Sequence, residues 1–245
     1  MIRYHTITVI LCQIVMCLCI IITGCSEKWD KQTDYSDYYF PVKSFPKEGM
    51  IYTYKNLRDP EGGKPEIWHH VRKADGLLES TNYSLIYDFN SANPVPDTEM
   101  VQRQYDRITG NGVVTDSLVL YAKDSSGTVR HFRVHILSGN RFPFVPGDST
   151  NTYLSHMEWW QPEDSLHVDL QRRRKFMANT LWLHDGKSYP AVRFKTEDTF
   201  ETERDGWTIS SWDGVEIYAL NIGLVYYKRN ISPELRVEFE LQDWK

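Results

Sequence analysis

The sequence predicts an all-β fold: a single antiparallel β-domain, either a sandwich or a curved, partly open barrel, behind a signal peptide and a short tether. Three observations lead there. Apolar and polar residues alternate with period two through most of the chain after Phe45. The composition favours strands, with 15 Tyr, 10 Phe and 8 Trp among 245 residues beside many Val, Ile and Thr. Turn-forming sequences punctuate the alternating runs, at Asp124-Ser125-Ser126-Gly127, Asp185-Gly186, Asp205-Gly206 and Asp213-Gly214.

At the amino terminus, Met1 to Thr6 carries one side-chain cation, Arg3, and the run from Ile7 to Ile22 is apolar except for Thr8 and Gln13. That run is shorter than the roughly 20 residues a permanent span requires. A charged start, an apolar centre and small residues after it assign residues 1–24 to a secretory signal peptide. Residues 25–44 are polar, and their aromatics (Trp29, Tyr35, Tyr38, Tyr39, Phe40) show no period, so they read as a tether able to lay Tyr39 and Phe40 on the domain. No composition break follows, and residues 45–245 read as one domain. A domain of that size buries about 70% of the surface of its unfolded chain, enough for a self-sufficient core.

Strands are predicted over Met50–Lys55, Ile67–Arg72, Tyr83–Phe89, Met100–Ile108 and Val113–Ala122. Phe132, Val134 and Ile136 alternate with His131, Arg133 and His135; Leu166, Val168 and Leu170 alternate with His167, Asp169 and Gln171. Further strands are predicted over Ala191–Glu197, Thr199–Glu203, Trp207–Trp212, Val215–Leu220 and Ile222–Arg229. The clearest alternation comes last: Leu235, Val237, Phe239 and Leu241 share one face, and Arg236, Glu238, Glu240 and Gln242 the other. One short helix is expected near Thr150–Trp160. A dozen short strands separated by turns argue for an antiparallel sandwich or barrel.

Charge and cysteine usage narrow the class. Lys+Arg 28 against Asp+Glu 33 gives a formal charge of −5, a poor match to the nucleic-acid backbone, and no nucleic-acid partner is expected. All four Cys (Cys12, Cys17, Cys19, Cys25) lie in the leader or at its end, so the mature domain must hold together without disulfides.

The residues Ile22-Thr23-Gly24-Cys25 resemble the lipobox of bacterial envelope lipoproteins: an aliphatic residue, two small residues, then Cys. The resemblance implies diacylglycerol transfer to the Cys25 sulfur, cleavage before Cys25 and acylation of the new amino terminus, hence a membrane partner through Cys25. Ser26, where Asp would signal inner-membrane retention, implies the outer membrane, with the periplasmic or cell-surface face undecided. The acidic tether (Glu27, Asp30, Asp34, Asp37) is similar to those of surface-exported lipoproteins of Bacteroidetes-type bacteria. Val215–Arg229 (VEIYALNIGLVYYKR) is similar to a strand–Gly–strand element of uncharacterised β-rich lipoproteins, and Gly49 in FPKEGMIYTY looks like their opening strand. This resemblance implies an antiparallel β-domain and no catalytic residues. Gly223 within a strand marks a bulge or a close backbone approach.

The chain holds no nucleotide-binding glycine loop; Glu61-Gly62-Gly63-Lys64 reads as a turn. It also lacks a serine-hydrolase elbow and any Cys after Cys25. His131 and His135 would sit about 13 Å apart along a strand, too far to share a metal, and no metal or cofactor is expected. Glu201 with Glu203, and Glu238 with Glu240, have the separation of hydrolytic carboxylate pairs but also of any solvated strand face. In Arg172-Arg173-Arg174-Lys175, Arg172 and Arg174 fall on the face of Leu170; the run reads as a turn or edge-strand guard, or else as a patch for anionic head groups or acidic glycans. Trp159-Trp160, before Pro162, form the candidate ligand-binding pair, since exposed aromatics stack on sugars and anchor interfaces. Asp116-Ser117-Leu118 and Asp164-Ser165-Leu166 resemble the O-glycosylation sites of Bacteroidetes envelope proteins, which makes Ser117 and Ser165 candidates.

The expectation is therefore a lipid-anchored, non-enzymatic envelope protein binding a glycan, lipid or protein partner. The alternatives are a periplasm-facing carrier of an apolar ligand in a barrel cavity and, third, a carboxylate-dependent hydrolase. Cys25→Ala should leave an unprocessed, unlipidated precursor; normal cleavage and membrane fractionation of that variant would overturn the lipobox assignment.

Overall fold

Period-two alternation becomes strand pairing along the chain. The computed structural model describes residues 33–41, 45–59, 63–73, 77–87, 96–123, 126–145, 152–161, 166–203 and 206–245. A short helix, α1 (Ser36–Tyr39), precedes β1 (Met50–Asn56), β2 (Glu66–Arg72), β3 (Leu77–Tyr87), β4 (Pro96–Ile108), β5 (Gly112–Lys123) and β6 (Val129–Pro143). Then come β7 (Thr152–Gln161), β8 (Leu166–His184), β9 (Lys187–Glu203), β10 (Trp207–Ala219), β11 (Gly223–Asn230) and β12 (Arg236–Trp244). Each strand pairs antiparallel with its sequence neighbours, and β1 pairs with β12, from Tyr52↔Trp244 to Asn56↔Phe239, closing the ring. The all-β, single-domain expectation holds, and of the two geometries anticipated the barrel is realised, fully closed. Closure leaves no edge strand exposed.

Several local expectations are corrected. Thr152–Gln161 is strand β7, not helix, because its pairing with β8 from Thr152↔Lys175 to Gln161↔Leu166 outweighs local propensity. Ala191–Glu197 and Thr199–Glu203 are parts of one strand, as are Trp207–Trp212 and Val215–Ala219, so Asp213-Gly214 lies mid-strand and not in a turn. Asp185-Gly186 does turn the β8–β9 hairpin, with φ 48° and 73°, the two positive values of the favoured two-residue connection. Cys25, Ser165, Asp124, Ser125 and Asp205 lie outside the described residues.

Residues 34–41, within the segment expected to serve as tether, pack against the domain. The compact unit starts at Asp34, and Tyr35, Tyr39 and Phe40 are buried. Tyr35 N donates to the Phe144 carbonyl at 2.7 Å, and Asn221 N to the Asp37 carbonyl at 2.8 Å, fastening α1 among the strand ends. Gly223, at φ 109°, lies so close to α1 that a Cβ there would stand 2.8 Å from the Tyr39 carbonyl oxygen. Here the close backbone approach suggested by the strand glycine has its cause. Tyr39 and Phe40 pack with Tyr52, Phe142, Phe194, Tyr218 and Val225 in one apolar cluster.

Phe239 stacks on Tyr227 at 5.4 Å between ring centroids. Phe239→Asp would put an unpaired charge against that ring and should lower the unfolding free energy by about 3 kcal/mol or more in urea titrations. An unchanged midpoint would mean that the inner and outer faces of β12 are assigned the wrong way round.

Candidate functional site

The inward faces of β8 to β11 carry charge. Register places Arg174, Thr196, Gly214 and Arg229 in one row across these strands, with Arg172 opposite Asp198 in the neighbouring row. Gly214 makes the row possible: a Cβ at that position would sit 2.5 Å from the Thr196 hydroxyl and 3.1 Å from Cδ of Arg229. Two long guanidinium side chains therefore reach across the space that a small residue leaves.

These arginines share two carboxylates. Arg172 binds Asp198 in a two-pronged pair, Nε to Oδ1 at 2.8 Å and Nη2 to Oδ2 at 2.7 Å. Arg174 donates through Nε to Glu216 at 2.8 Å and Arg229 through Nη2 at 2.6 Å. The Trp212 indole completes Asp198 at 3.0 Å, and the Tyr218 hydroxyl completes Glu216 at 3.0 Å. Burial alone would raise both carboxyls, but the arginines outweigh it and hold Asp198 below and Glu216 well below the usual carboxylate range. Burial and the neighbouring Arg172 lower Arg229, as expected where three cations share two anions. The expectation of an edge guard at Arg172–Lys175 is thus overturned for half of the run. Arg172 and Arg174 share the face of Leu170 as expected, but that face is the lumen, and Arg174 is 0% exposed.

Between this charged layer and α1 lies a cavity of about 260 Å³. Tyr39 and Phe40 of α1 and its flank bound one end, and Arg172, Glu216 and Arg229 bound the other. Around the wall stand Tyr52, Tyr54, Trp68 and Tyr227, with Gln102, Gln104, His70, Glu66, Asp106 and Arg141. Most of the polar groups are already held. Asp106 accepts from Tyr39 at 2.7 Å, from Gln104 at 2.7 and 2.8 Å, and from Thr115 at 2.8 Å. Glu66 accepts from Trp68 at 2.8 Å, Asn82 at 2.9 Å and the Tyr227 hydroxyl; burial raises its carboxyl, and these donors partly offset the rise. Tyr52 and Tyr54 donate across to the carbonyls of Ile222 at 2.5 Å and Leu224 at 2.8 Å. His70 meets the Ser80 hydroxyl at 2.7 Å, and burial, with His69 and Arg141, lowers it to about 3, so it stays neutral.

The residues singled out by sequence fall elsewhere. Trp159 and Trp160 occupy opposite faces of β7: Trp159 packs on Phe200, whereas Trp160 is 60% exposed and lies over His167, which also meets Trp207. They form no shared platform. Ser117 is half-buried within β5, opposite Tyr105. His135 pairs with Glu158 at 2.8 Å on the exposed surface and His156 with Asp169 at 2.6 Å. Glu238 is taken by Tyr226 and Arg236, and Glu240 accepts from Trp182, so this carboxylate pair is held by neighbours and faces no cavity. Among the described residues no group of three or more His, Cys, Asp or Glu is arranged to hold a metal ion. The lumenal set Arg141, Arg172, Arg229, Glu216, Asp106 and Glu66 escaped sequence reasoning; its one legible signal was the shared parity of Arg172 and Arg174 with Leu170.

Two solved structures are similar to this chain. One is a candidate lipoprotein from Parabacteroides distasonis ATCC 8503, 13% identical, with a TM-score of 0.47, covering 82% of this chain and 97% of that one. The other is a candidate exported protein with a YmcC-like fold from Bacteroides fragilis NCTC 9343, 13% identical, with a TM-score of 0.47, covering 82% of this chain and 98% of that one. No protein-family model and no curated protein matches the chain.

The depressed His70 sets a pH dependence. Its unfolded counterpart binds a proton below about pH 6.5 while the folded ring does not, so stability is lost as pH falls, at about 1.4 kcal/mol per unit. Between pH 7 and 5, His70→Gln should therefore lose about 2 kcal/mol less unfolding free energy than the parent in urea titrations. Parallel losses would mean that the ring titrates freely.

Proposed function

We propose that the chain is a lipid-anchored, non-enzymatic protein of the cell envelope whose barrel lumen binds a small polar ligand, with a short glycan as the best match. The observation that carries this reading is the cavity of about 260 Å³, which mixes aromatic walls with hydrogen-bonding heads. At about 30 Å³ per water it has room for roughly nine waters, the size class of a single sugar ring. Aromatic faces that stack on a ring and amide or guanidinium groups that meet its hydroxyls are what such a ligand requires. Anchorage through Cys25 to the outer membrane rests on the leader and lipobox.

The polar lining counts against the carrier of an apolar ligand, because an alkyl chain would strip water from Arg141 and Gln102 without replacing its hydrogen bonds. It also shifts attention from the exterior Trp160 to the lumen. Outward-facing Arg173, Lys175, Arg193 and Glu197 are exposed, which suits a barrel standing in water better than one facing lipid.

To test the reading, the full chain would be purified from membranes, denatured, and its bound material partitioned between chloroform–methanol and water before mass spectrometry. A polar species near one per protein in the aqueous phase is the expected result. A lipid in the organic phase would favour the carrier instead.

A further inference from the structure

We infer that the lumenal ligand is an anion, a carboxylate or phosphate on a small polar body, and that Arg141 receives its charged group; this rests on the lumenal-binding reading above. Arg172, Arg174 and Arg229 each meet a carboxylate at 2.8 Å or closer. Arg141 also lines the cavity, yet it makes no ion pair with any described residue, and its buried Nε has no hydrogen-bond partner. Burial would favour its neutral form, but the negative charges of Asp106 and Glu216 nearby keep it charged.

Neither carboxylate outside the arginine cluster is free to serve it. Asp106 is saturated by Tyr39, Gln104 and Thr115, and Glu66 by Trp68, Asn82 and Tyr227. A buried cation without a partner is costly, and a planar guanidinium fork pairs best with the two oxygens of a carboxylate or phosphate. An anion entering the cavity therefore gains a charge-assisted contact that no neutral ligand of the same shape can make.

The test is calorimetric titration of the full chain in detergent with glucuronate, glucose and inorganic phosphate, for the parent and for Arg141→Gln. In the parent, glucuronate or phosphate should bind about tenfold or more tighter than glucose, and that preference should collapse to within about threefold in Arg141→Gln. Tighter binding of glucuronate than of phosphate assigns a sugar acid; the reverse order assigns a phosphorylated ligand. Should the Gln variant fail to fold, Arg141→Lys, which keeps the charge and loses the fork, should still weaken glucuronate severalfold. Equal binding of glucose and glucuronate by the parent overturns the anion inference and leaves the lumenal reading standing. An anion preference that survives in Arg141→Gln overturns the role of Arg141. Absence of heat with all three at millimolar concentration overturns the lumenal reading and the inference with it.

Discussion

A ring of twelve strands is wider than its own side chains can fill; about eight strands is the size at which an interior just closes on itself. Everything in this lumen answers that constraint. At one end the space is taken by the chain itself, as α1 and Tyr35 to Phe40 enter and pack on Phe142, Tyr218 and Gly223. Farther in, the longest side chains do the filling, and Arg172, Arg174 and Arg229 span distances that Leu or Val could not. What neither covers is the cavity between them.

Filling space with arginine carries an electrostatic condition. Isolated charges in such an interior would be prohibitively desolvated, so each must meet an anion with good geometry. Asp198 and Glu216 meet it from the adjacent strands β9 and β10, because antiparallel register brings Arg172 opposite Asp198 and leaves Gly214 as a gap for Arg229. The network is thus a consequence of register, and a one-residue slip would turn every one of these charges outward. Arg141 also lines the cavity, and it makes no ion pair with any described residue.

The exterior tells a plainer story. His135 with Glu158 is an exposed surface pair of the sort that contributes little, His156 with Asp169 is a partly buried pair, and the carboxylates Glu238 and Glu240 are held by neighbours rather than aimed at a cleft. Chemistry-bearing residue types that looked promising in the sequence are mostly solvated strand faces, while the carboxylates held lowest, Asp198 and Glu216, lie inside.

By itself the sequence determined that the chain is all-β, where most strands run, and which face of β12 is apolar, because period-two alternation is a local property that pairing only confirms. The expectation of a leader over residues 1–24 and of a lipobox at Cys25 is likewise read in the chain and not in the fold. Tertiary structure alone decided three things. It decided closure, since pairing of β1 with β12 joins residues at opposite ends of the domain. It decided that Thr152–Gln161 is a strand and that Asp213-Gly214 is not a turn, since long-range pairing overrode local chemistry there. And it decided the meaning of polar residues on inward positions: in a sandwich Arg172 and Arg174 would read as an edge or a patch, but inside a closed ring the same parity makes them lumen.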